Sequence, residues 1–62
     1  MKVREIVKLI EADGWYRIKA RGGHRQYKHP TKRGRVTIPG AMSADLDEKT
    51  QRSIRRQAGL QG

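Results

Sequence analysis

With 62 residues and a formal net charge of +9, the chain is one small, strongly basic domain. It has no cysteine, so neither a disulfide framework nor a thiolate zinc site is available. No apolar run approaches the roughly 20 residues of a membrane span.

The first residues read as a helix. Val3, Ile6, Val7 and Ile10 recur at i, i+3, i+4 and i+7, a single apolar stripe over about ten residues. Lys2, Arg4, Glu5 and Lys8 interrupt the apolar residues, which does not suit a secretory leader, and a cytoplasmic protein without membrane contact is expected. Asp13-Gly14 ends the helix, glycine supplying the left-handed residue past its C-terminus. Trp15, the only tryptophan, is expected to plug the core at the entry to a strand. From there to Ala20 the chain alternates, with Tyr16, Ile18 and Ala20 on one face and Arg17 and Lys19 on the other.

Arg21-Gly22-Gly23 is a turn, the glycine pair letting the backbone reverse at low steric cost. The returning strand runs from His24 to His29, closed by Pro30, which cannot donate to a ladder. Tyr27 is its one large apolar residue and should face inward, so alternation sends His24, Gln26 and Lys28 outward. Arg25 and His29 share the parity of Tyr27 and can reach around the strand ends. Thr31-Lys32-Arg33-Gly34 is a second, basic turn, and Arg35 to Ile38 a third strand that Pro39-Gly40 stops. After a loop of small residues, Asp45 or Asp47 can cap the last helix, Asp45 with Glu48 having capping-box spacing. Leu46, Thr50, Ile54 and Ala58 form its inward stripe, Arg52, Arg55 and Arg56 complement the macrodipole, and Gly59 ends it. The order α-β-β-β-α predicts an α+β fold, a three-stranded antiparallel sheet with both helices on one face. The other face stays open and is expected to carry the outward basic residues.

Charge is unevenly placed. All six acids, Glu5, Glu11, Asp13, Asp45, Asp47 and Glu48, lie toward the two ends. Between them Arg17, Lys19, Arg21, Arg25, Lys28, Lys32, Arg33 and Arg35 stand in an acid-free stretch. Such a patch attracts a polyanion, a nucleic acid or an acidic protein that imitates one. Metal chemistry has no foothold: His24 and His29 lie five residues apart with opposite parity and no carboxylate or thiolate near them.

Asp13-Gly14-Trp15, Gly22-Gly23-His24, Tyr27-Lys28-His29-Pro30, Ile38-Pro39 and the run Arg52-Ser53-Ile54-Arg55-Arg56-Gln57-Ala58-Gly59-Leu60 together resemble the HicA toxin family of HicA–HicB toxin–antitoxin pairs. The likeness spans nearly the whole chain, a single HicA-like domain over 1–62. Gly23 stands where members often carry serine, and Gln51 and Arg55 where they often carry leucine. The resemblance implies a double-stranded-RNA-binding-like fold and a metal-independent, cofactor-free endoribonuclease that cleaves mRNA, a stress-response toxin. It implies that His24 is catalytic, and that a HicB-like antitoxin neutralises the toxin by covering this face. The free chain is then a monomer that enters a hetero-oligomer with its antitoxin. The chemistry suits the residues. RNA supplies its own 2′-hydroxyl nucleophile, so the protein has only to move protons and offset charge on phosphorus, and histidine is the side chain that does the former near neutral pH. Lys19, Arg21, Arg25, Lys28, Lys32, Arg33 and Arg35 are the expected RNA contacts, with Gly22 and Gly23 positioning the turn. The alternative is a non-catalytic RNA-binding module of the same fold, in which His24 contributes to affinity alone.

Overall fold

The computed structural model describes residues 1–19 and 24–60. Ala20, Arg21, Gly22 and Gly23, with the turn expected there, lie outside the described residues. Helix α1 spans Val3–Ala12, strands β1, β2 and β3 span Tyr16–Ile18, Arg25–Lys28 and Val36–Ile38, and helix α2 spans Glu48–Gln57. The strands form one antiparallel sheet in the order β1-β2-β3. This is the α-β-β-β-α arrangement of the double-stranded-RNA-binding-like α+β class.

Both helices bury their stripes against the same side of the sheet. Val3, Ile6, Val7 and Ile10 of α1, Ile54 of α2, and Leu46 and Ala58 flanking α2 form one cluster with Tyr27, Val36 and Ile38. Trp15 completes it at 2% exposure. No buried side-chain polar atom among the described residues lacks a partner.

The two helices end alike. At α1 the Gly14 N–H meets the Glu11 carbonyl at 3.0 Å and the Trp15 N–H meets that of Ile10 at 3.1 Å. At α2 the Gly59 N–H meets Arg56 at 3.1 Å and the Leu60 N–H meets Arg55 at 2.8 Å. Each is a Schellman closure around a glycine of positive φ, +109° at Gly14 and +68° at Gly59. In each, the residue after the glycine turns back onto the core, Trp15 fully and Leu60 partly.

The start of α1 is satisfied at long range. Lys2, at the N-cap of α1, has no acceptor side chain to offer, and the loop after β3 supplies backbone oxygens instead. The Val3 N–H donates to the Ala44 carbonyl at 2.9 Å and the Arg4 N–H to that of Met42 at 3.0 Å. Asp45 is thereby committed, and the capping box expected of Asp45 and Glu48 does not form. Its backbone pairs with Lys2 and its carboxylate meets the Lys2 ammonium at 3.2 Å, leaving Asp47 at the N-cap of α2. Gln51, polar at its position in α2, donates from its side-chain amide to the Leu46 carbonyl at 2.9 Å, holding the loop onto the helix.

Register decides which side chains face away from the helices. Arg17 pairs with Tyr27, Tyr16 with Lys28 and Ile18 with Gln26. Directly paired residues share a face, so Arg17 lies on the helix side and Tyr16 and Ile18 on the open side. The open face is therefore not purely polar, as the charge pattern alone predicts. The cause lies one residue upstream: the Schellman closure turns Trp15 into the core, and alternation then sends Tyr16 out.

Candidate functional site

The open face is read most simply in rungs across the sheet. Ile18, Gln26 and Thr37 form one. Tyr16 and Lys28 begin the next, which the same register extends to Arg35, just before β3. The Arg35 guanidinium donates to the Gln26 side-chain oxygen at 3.0 Å, a diagonal contact that holds it against this face. Lys28, Thr37 and Arg35 are exposed, and Tyr16 is 50% exposed. No acid occurs between residues 14 and 44 of the sequence, so no strand contributes one to the face.

His24 sits at the entrance to β2, one residue before Arg25, and is exposed. Stepping back along the strand from Lys28 through Gln26 reaches it by parity, the expected direction for a side chain that is to meet a ligand on the open face. Lys19, at the exit from β1, and Arg33, in the loop after β2, are exposed as well. Arg21 lies outside the described residues, as do Gly22 and Gly23.

Two of the expected RNA contacts also bond to the scaffold. The Arg25 guanidinium, on the Tyr27 side of its strand, donates to the Gly40 carbonyl and ties β2 to the loop that caps α1. Lys32 donates to the Asp13 carboxylate and, at 3.0 Å, to the Ala58 carbonyl. Its ammonium thus lies at the C-terminal ends of both helices, where a cation is favoured by the macrodipole. The hydrogen bond from Lys32 holds the Asp13 carboxyl below the usual carboxylate range, its charge adding to the effect against the opposing cost of burial.

His29 is the centre of this cluster. Its Nδ1 accepts from the backbone N–H groups of Thr31 and Lys32, each at 3.1 Å. Two donors converging on one nitrogen leave the proton on Nε2, which donates to the Asp13 carbonyl at 2.7 Å. Trp15 meets the ring edge-on, centroids 5.2 Å apart and planes at 66°, and donates its indole N–H to the Ala58 carbonyl at 3.3 Å. Both nitrogens of His29 are occupied, and the ring is a clamp joining the helix C-termini to the loop after β2. The sequence holds one signal of this, a histidine of inward parity directly before the proline that ends the strand.

Among the described residues no three histidine, aspartate or glutamate side chains gather as a metal site would require, and no helix is long and apolar enough to cross a membrane.

The chain matches the family model for the HicA toxin of bacterial toxin–antitoxin systems over residues 3–60. It is also similar to a chain in the solved structure of a toxin–antitoxin complex from Streptococcus pneumoniae, at 36% identity and a TM-score of 0.77, over 97% of this chain and 98% of that one. A search of curated proteins gave no match.

Proposed function

We propose, from the premise that the chain belongs to the HicA toxin family of bacterial toxin–antitoxin systems, that it is a cytoplasmic endoribonuclease toxin using His24 as its proton-transfer residue. One observation carries the reading: an exposed histidine stands at the mouth of the central strand, beside an open sheet face whose charged side chains are cations. The other histidine is bound at both ring nitrogens by the scaffold.

The reaction is an internal transfer on RNA. The 2′-oxygen bonds to the adjacent phosphorus while the bond from phosphorus to the 5′-oxygen breaks, leaving a 2′,3′-cyclic phosphate and a free 5′-hydroxyl. His24 takes the proton from the 2′-hydroxyl or gives one to the departing 5′-oxygen. Lys19, Arg21, Lys28, Arg33 and Arg35 hold phosphates along the bound strand, and their summed positive field offsets the charge gathering on the phosphoryl oxygens. Arg25 and Lys32 serve the same interface by holding its loops. None of these steps calls for a metal ion. In a toxin–antitoxin pair the natural inhibitor of such a face is a HicB-like antitoxin that covers it. Binding would stabilise so small a domain by mass action.

The test is cleavage of a single-stranded RNA in EDTA by the parent chain and by His24→Ala. The parent should cleave and leave cyclic-phosphate ends, and a DNA of the same sequence should resist. Loss of general acid–base catalysis should slow His24→Ala by about 100- to 10,000-fold, with RNA affinity retained. Because His24 is exposed, its removal should move stability by no more than about 0.5 kcal/mol. Equal cleavage by the two chains removes His24 from the chemistry. Tight RNA binding by a parent that cuts nothing would leave the non-catalytic module.

A further inference from the structure

The helix-distal face of the sheet carries an aromatic ring that proton transfer and phosphate binding leave unused. Tyr16 is 50% exposed although it sits within a strand. Its strand neighbour across the ladder is Lys28, and directly paired side chains begin about 5 Å apart. Half-buried Ile18 flanks it on the same face, opposite Gln26. An apolar ring beside a lysine, on a face to which no strand contributes an acid, is suited to a ligand that is flat and apolar in one part and anionic in the next. A nucleotide is such a ligand.

We propose that Tyr16 is a base-stacking platform that positions single-stranded RNA on the open face, an inference that rests on the RNA reading above. Lys28 takes the phosphate beside the stacked base, and Ile18 extends the apolar floor. The stacked base belongs to a flanking nucleotide and not to the one cut. Tyr16 is level with Lys28, four residues along β2 from His24, about 13 Å at strand rise. Stacking is available to a base only when it is unpaired, so the platform selects single-stranded over duplex RNA. Tyr16 is a positioning residue, because it touches substrate away from the reacting atoms.

The test is equilibrium binding of the full chain to a short RNA carrying 2′-O-methyl groups throughout, which blocks cleavage and keeps the readout independent of catalysis. Tyr16→Ala should weaken binding about 5- to 150-fold, the range for one stacked base, while Tyr16→Phe should bind like the parent. The slope of log affinity against log salt should stay unchanged in Tyr16→Ala, because no charge is lost. In Lys28→Gln it should fall by about 0.7. Replacing the bases by abasic units should erase the difference between Tyr16→Ala and the parent. On a cleavable RNA, the Tyr16→Ala defect should lie in KM. The proposal is overturned if Tyr16→Ala binds within twofold of the parent, or if its deficit persists on abasic RNA. Retained RNA affinity overturns it whatever the substitution does to antitoxin binding. A parent that binds RNA through Tyr16 but does not cleave it would sink the nuclease reading and leave the platform standing.

Discussion

Replacing Gly14 by alanine should destabilise this domain more than the same change at any other described glycine, and His29 is the reason. At φ +109° an L-residue is strained by roughly 1–3 kcal/mol. The added Cβ would also lie 2.8 Å from His29 Nε2, closer than Cβ atoms approach. The ring must then move, weakening its bond to the Asp13 carbonyl and the two that Nδ1 accepts from Thr31 and Lys32. At about 0.5–1.5 kcal/mol net for each, the displacement costs up to about 1.5–4.5 kcal/mol beyond the backbone strain. Against a total of about 3–9 kcal/mol, expected at 0.05–0.15 kcal/mol per residue, that is a large fraction. Gly34 is the matched control, since its φ is +79° and a Cβ there meets nothing within 4 Å. Urea unfolding followed by far-UV circular dichroism and by Trp15 fluorescence gives both values. The midpoint of Gly14→Ala should fall well below that of Gly34→Ala, and in a His29→Ala background the excess should vanish. Equal midpoints for the two alanine variants, or an excess that survives without His29, would refute the reasoning.

Two further outcomes follow from charge and burial. Asp13 titrates below its ordinary value in the folded chain, chiefly through the hydrogen bond from Lys32. Between that lowered value and the ordinary one near 3.9 the unfolded chain binds more protons. Stability from this pair is therefore complete above about pH 4 and is lost as the pH falls through the folded value. Urea midpoints measured across the acid range should show this dependence in the parent and lose it in Lys32→Met. Tyr27 shows the opposite case, because burial, reinforced by the charge of Glu11, raises its phenol above the ordinary 10. Its contribution is fully present below about pH 10 and is lost as pH rises through the folded value. Spectrophotometric titration of a Tyr16→Phe chain should show Tyr27 ionising late and together with unfolding, and early ionisation of a still-folded chain would contradict the burial.

Much of the candidate site could be read locally. His24 stands out in the sequence as a histidine after a glycine pair in an acid-free, basic stretch, and the structure leaves it exposed, as alternation around Tyr27 predicts. Cation by cation, the sequence was less informative. Arg25, Lys28, Lys32 and Arg35 look alike on paper, yet Lys32 and Arg25 bond to carbonyls 26 and 15 residues away. A long flexible cation carries no local mark of the acceptor it will find.

What the sequence determined by itself was whatever depends on near neighbours. The 3.6-residue stripe of α1, the four-residue stripe of α2, the alternation of β2 around Tyr27 and the glycines that end both helices all act through contacts a few residues apart. Tertiary structure decided what depends on partners distant in the chain: the loop carbonyls that cap α1, the His29 clamp, and the side to which β1 turns its apolar residues. A three-residue edge strand has too few side chains to choose a face by burial alone. Its orientation is inherited from Trp15, which the helix closure has already turned into the core, and that choice leaves Tyr16 in solvent beside Lys28.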